Sequence, residues 1–208
     1  MFSDWKIIMS KLETNKRHKR ESLLDSAFAL FTSKGINKTS ISDIVEKSGV
    51  AKGTFYLYFK DKYDIRNMLI AHKASQLFHN ADEDMKKAEI TDMFDEIIFL
   101  ANHIINQFCE NKSLLNFISK NLSWGIFKSS LISPSEDDID FYNIYSQLVN
   151  REDYKFKDPE IMMFMIIELV SSTCYSSILY DEPVSIEQLK PYLFDSIRDI
   201  INRHIINI

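Results

Sequence analysis

The chain has 208 residues with a formal net charge of -5, and its 45% hydrophobic content supports a packed core, which excludes a wholly disordered protein. Four glycines and four prolines are too few for a turn-rich β-sandwich, so the composition favours long helices. Two scattered cysteines, Cys109 and Cys174, exclude a disulfide framework or a zinc cluster, and with no secretory signal they predict a cytoplasmic protein.

Charge is divided unevenly along the chain. Residues 1–70 carry 13 Lys or Arg against 8 Asp or Glu, a net charge of +5, whereas residues 71–208 carry 12 against 22, a net charge of -10. A basic first part followed by an acidic remainder is typical of a protein whose first part binds a polyanion. The same excess also fits an ordinary solvated surface, so charge by itself leaves both interpretations open.

The first 65 residues contain the start of a helical domain behind a short extension. Residues 1–15 have apolar residues at helical spacing and predict a short amphipathic helix. "RESLLDSAFALFTSKG" predicts a helix that stops at Gly35, and "NKTSISDIVEKSG" predicts a second that ends at Gly49. "VAKGTFYLYF" predicts a third, short helix, and Asp61 is the expected N-cap of a longer fourth one.

The second and third of these helices have the size and separation of a helix-turn-helix. Gly49 in "SGVAK" lets the chain reverse within a few residues. The second helix of such a unit enters the DNA major groove with its N-terminal residues against the bases. Here that end offers Ala51, Lys52, Gly53 and Thr54, which combine small residues for close approach with a lysine and a hydroxyl.

Residues 19–65 also closely resemble the DNA-binding domain of the TetR (tetracycline-repressor-like) family of transcriptional regulators. The resemblance is carried by Gly35, Thr39, Ser40, Ile44, Ser48, Gly49, Val50, Lys52, Gly53, Thr54, Tyr56, Phe59 and Lys62. Departures from the family pattern are mild. Val45 and Ser48 replace usual alanines, Phe55 replaces a usual leucine, and Tyr58 stands where histidine is common.

The resemblance implies a set of DNA contacts. They are Thr39, Ser40, Ala51, Lys52, Gly53, Thr54, Tyr56, Tyr58 and Lys62. Residues 39–40, 56 and 62 would bind phosphates, since hydroxyls, lysines and helix N-termini are common phosphate ligands, and residues 51–54 would face the groove. Thr39 could instead be only a helix cap, and the lysines only solvated charges. Phe55 and Phe59 are expected in the core.

The basic cluster "NKRHKR" at 15–20 has two interpretations. Arms that precede a DNA-binding domain can place Arg and Lys in the minor groove, which suggests a modest contribution from Lys16, Arg17, Lys19 and Arg20. A solvated helix start explains the same residues equally well.

The remainder predicts further helices at about 91–109, 112–130, 137–151, 158–180 and 185–206. "SIEQ" at 185–188 is a capping box, and Asp158 with Pro159 marks a helix start. Residues 161–180 are long enough to span a bilayer, but Glu168 and several hydroxyls favour a buried helix of a soluble protein.

The last two helices are expected to form a homodimer. Small residues on the helix at 158–180 permit close approach, and an apolar stripe runs along the helix at 185–206. Two such pairs can bury their apolar surface as a four-helix bundle across a two-fold axis, as TetR-like proteins do. The alternative is a monomer in which these helices are wholly internal.

The middle helices are rich in aromatic residues, and in the TetR family this region holds an effector pocket. A hydrophobic or aromatic small molecule would suit such a lining. The candidate lining residues are Phe99, His103, Trp124 and Phe127. Each of them also fits an ordinary core position.

No catalytic motif, phosphate-binding glycine loop or metal-ligand cluster is found, so neither an enzyme nor a cofactor or metal is expected. The predicted protein is all-α, with an extension (1–15), a helix-turn-helix domain (16–64) and an effector-binding and dimerisation bundle (65–208). Its predicted function is that of a homodimeric repressor that binds a palindromic operator on double-stranded DNA and is released by a small effector. An activator or an effector-independent DNA-binding protein of the same fold is the alternative.

Overall fold

The computed structural model describes residues 2–121 and 139–206, with side chains described within 13–119 and 142–206. The described residues are helical, with no β-strand among them, which confirms the all-α prediction. The helices are α1 (Phe2–Lys34), α2 (Ile41–Ser48), α3 (Lys52–Tyr58), α4 (Lys62–Lys87), α5 (Met93–Glu110), α6 (Lys112–Asn121), α7 (Ile139–Val149), α8 (Pro159–Tyr180) and α9 (Ile186–His204).

The chain divides into two compact units, Met1–Leu69 and Ile70–Ile208, and the division falls inside α4. In the first unit α1 packs on α2, and α2 packs on α3. Its core consists of Leu23, Leu24, Ala27, Phe31, Ile44, Phe55, Phe59, Ile65 and Leu69. The prediction that Phe55 and Phe59 are core residues is therefore confirmed.

The first helix differs from its prediction. A short amphipathic helix followed by a separate one was expected, whereas α1 is continuous over its 33 residues. No glycine or proline interrupts residues 2–34, so nothing in the sequence stops helical hydrogen bonding between the two predicted segments. The predicted division into 1–15, 16–64 and 65–208 stays a prediction.

In the second unit an apolar face of α5 lies against α6, α8 and α9. Met93, Ile97, Leu100, Ala101, Ile105 and Phe108 are its buried residues, and their spacing is that of one helix face. Pro159 is the first residue of α8, and the side-chain oxygen of Gln188 accepts from the backbone N–H of Ser185 (3.3 Å) at the start of α9, as predicted.

By length and composition α8 could cross a membrane, with a mean hydropathy of 1.6. It nevertheless packs on three helices, and Met162, Met163 and Ile166 are buried there. On its outer side Ile161, Phe164 and Met165 are exposed. The helix thus has one face inside the core of its unit and a second apolar face outside it.

Candidate nucleic-acid interface

The second helix of the predicted helix-turn-helix begins at a closed cap. Ser40 Oγ accepts from the N–H of Asp43 (3.1 Å), and Asp43 Oδ2 accepts from the N–H of Ser40 (2.7 Å). Lys34 Nζ lies 2.9 Å from the same carboxylate. The hydrogen bond from Lys34, followed by those from Ser40, lowers the pKa of Asp43 to about 2. This cap fixes the point at which α2 starts relative to the end of α1.

The turn between α2 and α3 depends on Gly49. Its φ of 67° lies in the left-handed region, which is costly for residues with a Cβ. Its N–H donates to the carbonyl oxygens of Val45 and Glu46, and the N–H of Val50 donates to Val45 (3.2 Å). The chain therefore leaves α2 in one fixed direction, and α3 begins at Lys52.

The short helix α3 has two distinct faces. Phe55 lies in the core, fully shielded from solvent. Gly53 and Leu57 lie on the opposite side, where Leu57 is 78% exposed; Tyr56 next to them is 53% exposed, and Lys52 is exposed in the first turn of the helix. Gly53, Tyr56 and Leu57 share one face because they are three or four residues apart. A bare backbone, a phenol and an aliphatic side chain thus point outward together, and the exposed ammonium group of Lys52 lies at the start of the helix.

Gly53 has no role inside the protein that the structure reveals. Its backbone is not in the left-handed region, and a Cβ built there would meet no heavy atom within 4 Å. A glycine inside a helix costs about 1 kcal/mol relative to alanine. The open space at Gly53 leaves room for a molecule to approach the α3 backbone from outside.

Two of the predicted phosphate ligands are occupied by internal contacts. Thr39 is only 2% exposed, and its hydroxyl donates to the carbonyl oxygen of Gly35 (2.8 Å). Lys62 Nζ donates to the carbonyl oxygens of Ile36 (3.1 Å), Asn37 (3.4 Å) and Thr39 (3.3 Å). These contacts hold the loop between α1 and α2 against the start of α4. A phosphate at either residue would have to displace a carbonyl.

The other predicted DNA ligands lie at or near the surface. Ser40, Ala51 and Lys52 are exposed, and Thr54 and Tyr58 are half-buried. Leu57, the most exposed large hydrophobic side chain of α3, was not among the predicted ligands. Its sequence neighbours are apolar, so only the helical phase relative to Phe55 identifies it as outward-facing.

Comparison with known proteins agrees with this arrangement. Residues 23–68 match the model for bacterial regulatory proteins of the tetR family. Residues 23–68 are a DNA-binding domain of the TetR family. It is 38% identical over 72 residues to the fatty acid metabolism regulator protein of Bacillus subtilis, an alignment that covers 35% of this chain and 37% of that protein. The chain spans between 26% and 37% of the length of such curated relatives.

Solved structures of TetR-family proteins share the fold over most of the chain. A TetR-family regulator from Shewanella superposes with a TM-score of 0.63 at 15% identity, covering 91% of this chain and 99% of its own. FadR from Bacillus subtilis in complex with stearoyl-CoA superposes with a TM-score of 0.60 at 19% identity, covering 85% of this chain and 96% of the FadR chain. At these identities the likeness concerns the fold alone.

The second unit contains a partly open cavity of about 90 Å³. It is lined by Ala74, Leu77, Phe78, Ile97, Leu100, Ala101, Ile104, Phe108, Ile118, Ile144, Tyr145, Leu148, Met163, Ile166, Ile167, Val170 and Ser171. Among the described residues the lining is aliphatic or aromatic, with Tyr145 and Ser171 as its polar members and no charged side chain. Such a cavity suits a hydrocarbon part of a ligand.

Two of the four predicted pocket residues belong to the described part of the chain, and neither is in the lining. Phe99 and His103 are on α5 beside the lining but not in it, with their ring centroids 6.4 Å apart. His103 Nδ1 lies 3.7 Å from Asp84 Oδ2. Trp124 and Phe127 lie outside the described residues, so their roles stay predictions.

No group of three or more His, Cys, Asp or Glu that could hold a metal occurs in the part of the chain that the structure describes. His72 lies 3.1 Å from the side-chain nitrogen of Gln76, and His79 faces Glu83 at 3.5 Å. Burial raises the pKa of the Cys174 thiol to about 11, so this sulfur stays protonated near neutral pH.

Proposed function

We propose that the protein is a cytoplasmic, ligand-responsive regulator of transcription that binds operator DNA through α3. The observation that carries this proposal is the outward face of α3, where Gly53, Tyr56 and Leu57 lie together, with Lys52 exposed at the start of the helix. Lysine can bind guanine edges or phosphate, a tyrosine hydroxyl can bind phosphate, and an aliphatic side chain can contact a thymine methyl group. Gly53 allows the groove wall to approach the helix.

The test is selection of DNA fragments by purified protein, with the Lys52→Ala variant in parallel. Wild type should enrich a discrete site, and loss of one bidentate base contact should cost about 1–3 kcal/mol of discrimination. A matched control is Lys87→Ala, an exposed lysine in the second unit. Absence of any enriched site, or equal enrichment by Lys52→Ala, would reject recognition through this helix.

We also propose a homodimer formed through residues 158–180 and 185–206. The exposed apolar stripe Ile161, Phe164 and Met165 of α8 supports this, because an apolar helix face of this size gains stability when it is covered. Two copies would present two α3 helices to a palindromic operator. Sedimentation of Phe164→Glu should give monomers where wild type gives dimers, with Glu110→Gln, at the exposed end of α5, as a control outside the proposed interface.

The cavity suggests the class of effector. A lining without charged groups supports a ligand that inserts an alkyl chain and keeps its polar head elsewhere. The relatives named for fatty acid regulation and the stearoyl-CoA complex of FadR lead us to propose a long-chain acyl compound. Stearoyl-CoA should release the protein from its operator, whereas CoA alone should not.

Helix α4 would couple effector to DNA. Ala74, Leu77 and Phe78 line the cavity, and Lys62 at the start of the same helix holds the loop before α2. A ligand that binds one position of α4 better than another shifts the population toward that position. We propose that acyl binding moves α4 and lowers operator affinity, which makes the protein a repressor. Operator binding unaffected by any acyl chain would favour an effector-independent regulator, and increased binding would favour an activator.

A further inference from the structure

Residues 13–20 of α1 lie outside the core of their unit and have a basic surface. Among the described side chains of α1, from residue 13 onward, the first buried one is Leu23, whereas residues 13–19 are all exposed. Residues 13–20 contain four Lys or Arg and one acidic residue, Glu13. Arg17 lies 3.5 Å from Glu21, so part of this charge is balanced within the helix. Lys16 and Lys19 make no hydrogen bond or ion pair with the described part of the chain.

Helical phase places these free lysines on a defined side. Lys16, Arg20 and Leu23 follow one another at intervals of four and three residues, so they share the face that continues into the core. Lys19 lies three residues before Ser22 and four before Leu23, on the adjoining strip of the same side. At 1.5 Å per residue, Lys19 is about 4.5 Å and Lys16 about 9 Å along the axis from Ser22.

A hydrogen bond locates this side relative to the recognition helix. Ser22 Oγ donates to the carbonyl oxygen of Ser48 (3.1 Å), the residue that ends α2. Lys52 begins α3 only four residues later. The basic face of α1, defined by Lys16, Lys19 and Arg20, therefore extends from the turn that leads into α3.

We propose that this basic face contacts the phosphate backbone of DNA outside the segment that α3 contacts. The proposal rests on the proposed DNA-binding function, because α3 is what brings the duplex to this side. DNA is a polyanion, and its phosphate charges complement Lys16 and Lys19, whose charges are not balanced by an ion pair with the described part of the chain. A helix is about 10–12 Å wide and the minor groove about 6 Å, so a helical segment contacts the backbone and not the groove floor. Such contacts add affinity without sequence preference.

The test uses the full chain with Lys16→Gln and Lys19→Gln combined. Glutamine keeps the helix propensity of lysine and removes the charge. Arg20 is left in place because it has contacts within the protein. The matched control is Lys86→Gln with Lys87→Gln, an exposed pair in the second unit. Affinity for the selected operator and for an unrelated duplex is measured between 50 and 300 mM salt (roughly the range in which phosphate contacts are released).

The double variant should bind both duplexes more weakly, by the same factor, with a salt slope less steep by about 0.9 for each lost phosphate contact. The effect should disappear when the operator is shortened to the segment protected by α3. Unchanged affinity and slope would overturn the proposal, and so would a loss confined to the operator, since that indicates base recognition. If wild type binds no duplex, the proposed DNA-binding function itself is rejected. If wild type binds DNA and the double variant has the same affinity, only the proposed contact of α1 is rejected.

Discussion

The two units differ in how their outward surfaces arise. In Met1–Leu69, caps and a left-handed glycine orient one short helix, so a mixed polar and apolar face points outward. In Ile70–Ile208, long apolar helices line a partly open cavity and leave part of α8 uncovered. Local backbone signals therefore determine the candidate DNA surface, whereas packing of distant segments determines the cavity. The two surfaces should respond differently to substitution.

The largest expected effect is the difference in stability between a variant on the buried side of α3 and one on its exposed side. Phe55→Ala removes a fully buried ring and should lower the free energy of unfolding by about 3–5 kcal/mol. Leu57→Ala removes an exposed side chain and should change it by less than about 0.5 kcal/mol while lowering operator affinity. Urea unfolding and DNA titration of both variants measure this contrast. A Leu57→Ala variant that unfolds as easily as Phe55→Ala would show that the face of α3 is assigned wrongly.

The next effect concerns the loop held by Lys62. Lys62→Met leaves three carbonyl oxygens without their charged donor and should cost about 1–3 kcal/mol in unfolding free energy. Lys60→Met removes the same charge from an exposed neighbour and should cost less than about 0.5 kcal/mol. Thermal unfolding of the two variants measures this difference in stability. Equal stability would mean that the carbonyl contacts contribute nothing.

A third test addresses the cavity. Ala101→Leu places three further carbons in the lining and should abolish release of DNA by stearoyl-CoA while leaving operator binding intact. Overpacking would cost about 1–3 kcal/mol of stability. Asn102→Leu, the next residue on α5 and outside the lining, should respond to stearoyl-CoA as wild type does. Persistent release from Ala101→Leu would place the effector elsewhere.

A smaller effect on stability is expected at Gly53. Gly53→Ala should raise the free energy of unfolding by up to about 1 kcal/mol, because alanine favours helix and nothing in the protein occupies the space. Operator affinity should nevertheless fall about tenfold, equivalent to about 1.4 kcal/mol. A more stable variant with unchanged affinity would show that DNA does not approach this backbone.

The smallest effect depends on pH. The pKa of Asp43 is lowered from 3.8 to about 2, first by the hydrogen bond from Lys34 and then by those from Ser40. A lowered pKa means that the carboxylate contributes stability fully above pH 3.8 and loses it as the pH falls toward 2. Asp43→Asn should remove this acid dependence from α2, which amide exchange of its first turn can follow. Identical acid profiles would assign the loss to other carboxylates.

Much of the first unit could be predicted from sequence because its signals are local. Ser40 and Gly49 act within three or four residues, and the aromatic spacing of Phe55 and Phe59 identifies the buried side of α3. Thr39 and Lys62 could not be assigned in this way. Their partners are carbonyl groups, which every residue has, so no sequence pattern marks them. The cavity lining could not be predicted for a similar reason, because isoleucine and leucine are equally common in a core without a cavity.

The sequence by itself determined the helical class, the helix-turn-helix and its family, because turn glycines, caps and apolar periodicity act between near neighbours. Only the tertiary structure decided which hydroxyls and ammonium groups are already bound, that Leu57 points outward, and that five helices line an apolar cavity. Those outcomes depend on which distant segments pack together. The sequence around a backbone carbonyl or a methyl group does not indicate which group it will contact.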